Sequence, residues 1–462
     1  MAIHLHLLPT SPAGAARLLS YSDDGVPGFK ARRAGFTKSY LVEIPHGGPP
    51  PATSVYVANN VTNLFCSGHT FLPDGRLLAM GGHIDYNFYG AADINFFNDG
   101  PTPYWETQAS AMNAGRWYPS VLSLPNREVL VVSGTIAGSA DVNPLPQVWQ
   151  TDAGGGLRDL SGALLKLKTY PKLFVLPDGR VASVASEQLT RYLDTAGVGK
   201  WSSGPKRPTA NRVYACAAMY EPGKVLLSGG APTNSTAPTA TAEVIDFTAG
   251  KPSWRAIAPM AFARKHGNTT ILPDGSALVT GGSRATAFND AAGAVLAAEL
   301  WDPVSETWRT LASAAVPRIY HSTALLLPDG RVLSTGGGRP KAKNGGQNNT
   351  NCELFEPPYL FKGPRPTVTA APAAAGLGDS LQIATPDAAS VAQVTLLRLG
   401  SVTHTFNMNQ RFNRLSFTKT ADGLTATLPA SPNVLLPGHY LLFLLSDLGV
   451  PSIGRIIAIA TA

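Results

Sequence analysis

The sequence predicts an all-β protein, a seven-bladed β-propeller over residues 1–362 followed by a β-sandwich over residues 363–462. Three observations carry that expectation: one phrase recurs along most of the chain, turn-forming residues are abundant, and charges are sparse. The 462 residues include 46 glycines and 38 prolines, above the roughly 12% that an ordinary globular chain carries. Hydrophobic residues at 44% exclude global disorder, and charged residues at 15% describe a chain held by backbone hydrogen bonds rather than by long charged helices.

The recurring phrase begins as LPDGRLLAMGG at Leu72, LPNREVLVVSG at Leu124 and LPDGRVASVAS at Leu176. It returns as YEPGKVLLSGG at Tyr220, LPDGSALVTGG at Leu272 and LPDGRVLSTGG at Leu327, and a degenerate copy starts at Leu8. Each copy reads as a strand, a Pro-Asp-Gly type turn and a second apolar strand that usually ends in Gly-Gly, a hairpin signature. Most copies are followed by a further strand-like phrase, at 146–152, 242–247, 298–303 and 352–357, and Trp254 and Trp308 lead into the next unit. About four short strands in a unit of roughly 50 residues is the pattern of a propeller blade. After Gly363-Pro364-Arg365-Pro366 the phrase stops, and alternating strands at 392–399, 414–417, 424–428 and 440–445 suit a small immunoglobulin-like sandwich.

Several function classes are disfavoured. The net charge of +7 is spread along the chain with no basic cluster, which argues against nucleic-acid binding. The longest apolar stretch, 440–445, is far short of the ~18 residues a membrane helix needs. The opening MAIHLHLLPT lacks the basic region, long apolar core and cleavage site of a signal peptide. Three cysteines, Cys66, Cys216 and Cys352, are too few for a disulfide framework.

Residues at one offset in every blade should stand at equivalent places around the central channel. At a fixed offset before the phrase the chain places Cys66, Tyr118, Tyr170, Tyr214, His266 and His321, with Tyr320 beside His321. Tyr170, Tyr214 and His266 read as channel lining or outer partners. Cys66, Tyr118, Tyr320 and His321 put a thiol, two phenols and an imidazole around one axis, a set that suits Cu(II). Arg116, Arg212, Arg264 and Arg318, just upstream of this position, are expected to bond carbonyls of the adjacent blade. Asp74, Asp178, Asp274 and Asp329 are turn residues.

On these motifs the chain resembles the copper radical oxidases, the family of galactose oxidase and glyoxal oxidase, whose propeller is Kelch-like. NLFCSGHTFLPDGRLLAMGGH around Cys66 is similar to the segment that supplies the cysteine of the family's Tyr-Cys thioether, and GRWYPS around Tyr118 to the one that supplies its tyrosine. RIYHSTALLLPDGRVLSTGGG matches the tyrosine and histidine pair at Tyr320 and His321, and SVTHTFNMNQR resembles the loop that delivers a second histidine, here His404. The resemblance implies one copper ion held by Tyr118, Tyr320, His321 and His404, a Cys66–Tyr118 thioether radical, and Tyr320 as general base. It implies two-electron oxidation of small aldehydes or primary alcohols with reduction of O2 to H2O2, by a monomer exported to the periplasm or the extracellular space. RWYP and NPLPQVW look closer to glyoxal oxidase than to galactose oxidase. Where galactose oxidase covers the thioether with an indole, this chain reads SGTIAGSADVNPLP with Ile136 near the expected place, and Phe288 in SRATAFND falls where an aromatic shapes the substrate pocket. The competing expectation is a non-catalytic propeller that binds carbohydrate or protein through its loops.

Overall fold

The computed structural model describes residues 2–22, 37–50, 53–85, 88–151, 155–338 and 349–460. Regular structure is almost entirely strand, with single 3-10 turns at Ala291–Gly293, Pro358–Phe361 and Ala388–Ser390. The expected propeller and sandwich are both present: seven antiparallel sheets succeed one another, and a further sheet system follows them.

Each recurring phrase forms the two inner strands of a blade. In the second blade Gly68–Phe71 pairs with Leu77–Met80 across the Pro-Asp-Gly turn, and in the sixth Lys265–Ile271 pairs with Ala277–Ser283. These strands are buried along their whole length because sheets pack on both of their faces. Outer strands such as Thr307–Ser313 are more exposed and more polar. The seventh blade has three strands among the described residues, Ser322–Leu326, Val332–Gly336 and Cys352–Phe355.

The glycines that close the phrase have a steric reason. Gly82 N–H bonds Arg116 O at 3.0 Å and Gly282 N–H bonds Arg318 O at 2.6 Å, so each blade is stitched to the backbone of the next. A Cβ on the preceding Gly81 or Gly281 would lie 2.3 Å from the same carbonyl oxygen. Gly336 meets Ala2 in the same way, its Cβ position 2.4 Å from Ala2 O, and this contact closes the ring between the seventh and first blades. The four recurrent arginines correct one expectation. Their guanidiniums bond carbonyls of their own blade, as in Arg116 to Ser133 O at 2.8 Å, Arg212 to Gly229 O at 3.0 Å, Arg264 to Gly281 O at 2.7 Å and Arg318 to Gly336 O at 2.9 Å. It is the arginine backbone that touches the neighbouring blade, while the long side chain folds back to satisfy carbonyls otherwise left unpaired in the interior.

The first blade has four strands of its own, His4–Leu7, Ala15–Ser22, Thr37–Pro45 and Val55–Asn59. Its innermost strand also pairs with a hairpin from the last quarter of the chain, Ser401–Thr403 and Phe406–Asn407, in the register His4↔Thr403 and His6↔Ser401. The other C-terminal strands run in the order Ala374–Gly376, Arg455–Ala460, Gly438–Ser446, Val391–Arg398, Phe412–Thr420, Gly423–Thr427 and Ser380–Ala384. They enclose a core that includes Val394, Leu396, Leu442, Leu444 and Ile457.

Gly336→Ala is expected to destabilise the fold by roughly 2–4 kcal/mol, since it combines a left-handed backbone with a clash against main chain. Denaturant unfolding measures this, and a loss below ~0.5 kcal/mol would show that ring closure does not depend on the contact.

Candidate metal centre

The six residues at the common offset share one backbone state. Cys66, Tyr118, Tyr170, Tyr214, His266 and His321 have φ of 61, 66, 47, 52, 65 and 67°, the left-handed region that costs a non-glycine residue roughly 1–2 kcal/mol. Bonds between successive positions offset that strain: Tyr118 N–H to Cys66 O at 3.0 Å, Tyr170 N–H to Tyr118 O at 2.8 Å, and His266 N–H to Tyr214 O at 3.2 Å. His404, at the turn of the C-terminal hairpin, is left-handed as well, at φ 47°.

These side chains converge. The Tyr118 and Tyr320 hydroxyls are hydrogen-bonded to each other. Tyr118 packs against the cluster of Ile3, Phe65, Cys66 and Trp117, and Cys66 Sγ lies 3.5 Å from His404 Nε2. Cys66, His321 and His404 each offer a ligand atom within 4.8 Å of the others. The His404 ring is 4.9 Å from Tyr118, 4.8 Å from His321 and 5.5 Å from Tyr320, centroid to centroid. Tyr170 stacks on His404 at 4.7 Å, while Tyr214 and His266 lie 5.8 and 5.3 Å from the Tyr320 ring.

Phe288 stands 4.6 Å from Tyr320 and is partly exposed, so it borders the site. Ile136 is engaged through its backbone, its N–H bonding Asp141 O and its carbonyl accepting from Gly90 N–H. The indole over Tyr118 is Trp117, stacked at 4.1 Å with 16° between planes. Adjacent residues in extended chain point to opposite sides, so sequence reasoning passes over Trp117. The left-handed turn at Tyr118 breaks that alternation.

Hydrogen-bond logic sets both imidazoles. Thr403 Oγ1 donates its one proton to Ile3 O at 2.9 Å, so it accepts from His404 Nδ1 at 2.6 Å and leaves a lone pair on His404 Nε2. Gly338 O can only accept, so the 3.2 Å bond assigns a proton to His321 Nδ1 and leaves the lone pair on Nε2. Two imidazole lone pairs, two phenol oxygens and a thiol form a donor set that fits copper. Burial, followed by His321, holds the His404 pKa well below the ordinary histidine value, which keeps its ring neutral. Burial, then Cys66 and Tyr320, pushes the Tyr118 phenol well above its usual range, so its ionisation calls for a nearby cation.

A second buried network supports Cys66. The Cys66 N–H donates to His4 Nε2 at 3.0 Å, which places the His4 proton on Nδ1 and directs it to His69 Nε2 at 3.0 Å. The chain continues from His69 Nδ1 to Ser401 Oγ at 2.6 Å and from Ser401 to His6 Nδ1 at 2.9 Å. The HLHL alternation, which puts His4 and His6 on one face of a strand, is the signal in the sequence that points to it. Lys172 is also buried here. It donates to His404 O at 3.2 Å and Thr405 Oγ1 at 3.0 Å, and burial pulls its pKa down to about 7.

Residues 52–359 match the family model described as glyoxal oxidase N-terminus. The chain belongs to the glyoxal oxidase family. Residues 365–459 of this glyoxal oxidase family member match the galactose oxidase-like early set domain. It is similar to a galactose oxidase from Gibberella zeae, 28% identical over 98% of this chain and 69% of that protein. It is likewise similar to aldehyde oxidase GLOX from Vitis pseudoreticulata, 28% identical over 86% of this chain and 82% of the relative. A fungal alcohol oxidase solved in complex with copper shares the fold with a TM-score of 0.87 at 24% identity, over 99% of this chain and 97% of that one. The family member is thus an oxidoreductase of the copper radical oxidase group.

Thr403→Val removes the acceptor that orients the His404 ring, and is expected to weaken Cu(II) binding by about 10- to 100-fold, with Thr403→Ser restoring it. Competition titration against a chelator measures both. Unchanged affinity in the valine variant would show that Thr403 does not orient the ring.

Proposed function

We propose that this protein oxidises small aldehydes or primary alcohols by two electrons and reduces O2 to H2O2, with Tyr118, Tyr320, His321 and His404 holding one copper ion and Cys66 joined through sulfur to the Tyr118 ring. The observation that carries this reading is the convergence of a thiol, two mutually bonded phenols and two imidazoles with inward Nε2 lone pairs. Relatives named galactose oxidase and aldehyde oxidase support it. Bound copper and the thioether together supply two one-electron oxidising equivalents, and the metal also polarises a substrate oxygen.

The remaining chemistry belongs to the side chains. Tyr320 is the base that takes the proton of a substrate hydroxyl, and an aldehyde presents the same O–H group as its hydrate. Its bond to Tyr118 keeps both phenol oxygens facing one point. Trp117 covers the Tyr118 ring face and excludes water from it. Thr403 and Gly338 hold the two imidazoles in one tautomer. Phe288 forms an apolar wall beside Tyr320. Assembly of the thioether needs copper at the site and uses O2 as the acceptor of the two hydrogens, which suits an exported protein.

Incubation of the metal-free protein with copper and oxygen is expected to lower its intact mass by two hydrogens as an S–C bond replaces S–H and C–H, and Cys66→Ala should show no such loss. Copper-loaded protein should release peroxide over a panel of aldehydes and primary alcohols, and Tyr118→Phe should abolish it. In Trp117→Ala the optical band of the oxidised enzyme should decay faster. Absence of copper binding and of peroxide from every substrate would overturn the oxidase reading in favour of a binding module.

A further inference from the structure

The sandwich covers the end of the propeller that carries the Pro-Asp-Gly turns. Thr395 Oγ1 donates to Pro273 O at 2.9 Å, Asn433 Nδ2 to Pro177 O at 3.1 Å and Gly454 N–H to Pro328 O at 2.7 Å, which ties it to the sixth, fourth and seventh blades. At the second blade a Cβ on Gly75 would lie 3.0 Å from the His439 ring. The first blade is different. Its copy of the phrase is the degenerate one, with a longer turn over residues 9–14 in place of Pro-Asp-Gly, and among the described residues that turn makes no hydrogen bond to the sandwich.

A cavity of about 770 Å³ remains between this turn and the sandwich. Packed interiors do not ordinarily leave so large a space, and its size is that of a site for a small organic molecule. Pro9, Pro12, Pro328, Pro366, Ile453 and Ile456 give it apolar walls, and Arg365 and Arg455 give it charge. Among the described residues no carboxylate lines it. The carboxylates that act on Arg365, Asp329 ahead of Glu356, stand outside the lining, and Asp329 is held by Arg331 and the Gly47 N–H. Burial keeps His46 and His439, which also line the space, below the ordinary histidine value, so the charge resides on the two guanidiniums. Both guanidiniums are anchored. Arg365 Nη1 donates to Pro451 O at 3.3 Å and Arg455 Nη2 to Val368 O at 2.8 Å. A guanidinium has five N–H donors, and each of these bonds uses one. The rest remain for a ligand, on two forks whose orientation is set before it arrives.

We propose that this cavity is a binding site for a small organic anion, which places a carboxylate or phosphate group on Arg365 and Arg455 and lays an apolar body against the proline and isoleucine walls. Planar forks match the oxygen atoms of either group. The site is separate from the metal centre. The left-handed ring residues stand at the other end of the inner strands, and a strand of four residues such as Ser120–Ser123 spans about 13 Å. The anion site therefore does not depend on the oxidase reading. A ligand held there touches the first blade and the sandwich together, so it favours their docked arrangement and stabilises the fold.

Benzoate, phenyl phosphate and benzyl alcohol share an apolar ring and differ in charge. Calorimetric titration of the full chain is expected to show one or both anions binding at least about 10-fold more tightly than benzyl alcohol, and the bound anion should raise Tm. Preference for benzoate assigns a carboxylate ligand, and preference for phenyl phosphate a phosphate ester. The double variant Arg365→Met, Arg455→Met should lose the preference. Arg455 is exposed, so Arg455→Met alone keeps the fold and should weaken anion binding while leaving benzyl alcohol unaffected. In crystals soaked with an iodinated form of the preferred anion, the iodine should lie between the turn at residues 9–14 and the sandwich. Equal binding of all three compounds would overturn the proposal. So would a preference unchanged in folded Arg455→Met, or iodine found only at the metal centre.

Discussion

The arrangement depends on backbone hydrogen bonds between blades at one end of the channel. The innermost strands of blades two to seven each carry a left-handed residue at or just before their start, and several of these residues bond the carbonyl of their predecessor, Tyr118 to Cys66, Tyr170 to Tyr118 and His266 to Tyr214. A non-glycine residue adopts that conformation at a cost. The closed ring holds it in place, because releasing one position would break contacts with the blades on both sides. The return is chemical: a left-handed turn at the start of a strand breaks its alternation and brings side chains together around the axis. Trp117 and Tyr118 show this most plainly, as sequence neighbours whose rings stack.

A second constraint joins the two ends of the sequence. The strand containing His4 and His6 pairs with the strand that ends at Thr403, and the turn after Thr403 carries His404 to the centre. Ser401 takes part from the same strand, bridging His6 and His69, and His4 in turn accepts from the Cys66 backbone. The thiol and the second imidazole are therefore placed relative to one another by a buried polar network that runs from the Cys66 N–H through His4, His69 and Ser401 to His6 Nδ1. Such a network is costly if any member is left unpaired. That makes it a rigid support, and it explains why a site assembled from residues 66 to 404 can be held in one geometry.

Much of this is legible in the amino-acid sequence, and for a definite reason. Repetition multiplies a weak signal, so the hairpin phrase locates the blades, and its constant offset picks out Cys66, Tyr118 and His321 as equivalent positions. The strands around Val394, Leu415, Leu424 and Leu442 are visible from alternation. Trp117, the joining of His4 and His6 through His69 and Ser401, and the burial of Lys172 are not. None of them recurs from blade to blade, and each has its role through a partner far away along the chain or through a local break in alternation. The arginines show the same limit: their recurrence is evident, but which blade their guanidiniums serve depends on the direction in which a long side chain folds.

By itself the sequence determined the all-β class, the propeller followed by a sandwich, and the ring positions Cys66, Tyr118 and His321, because period, turn chemistry and repeat offset are local properties; His404, outside the repeat, was indicated only by the family resemblance. Tertiary structure alone decided which indole covers Tyr118 and which nitrogen of each imidazole faces inward. Those outcomes depend on backbone handedness, hydrogen-bond partners and burial, which exist only after distant segments have packed together.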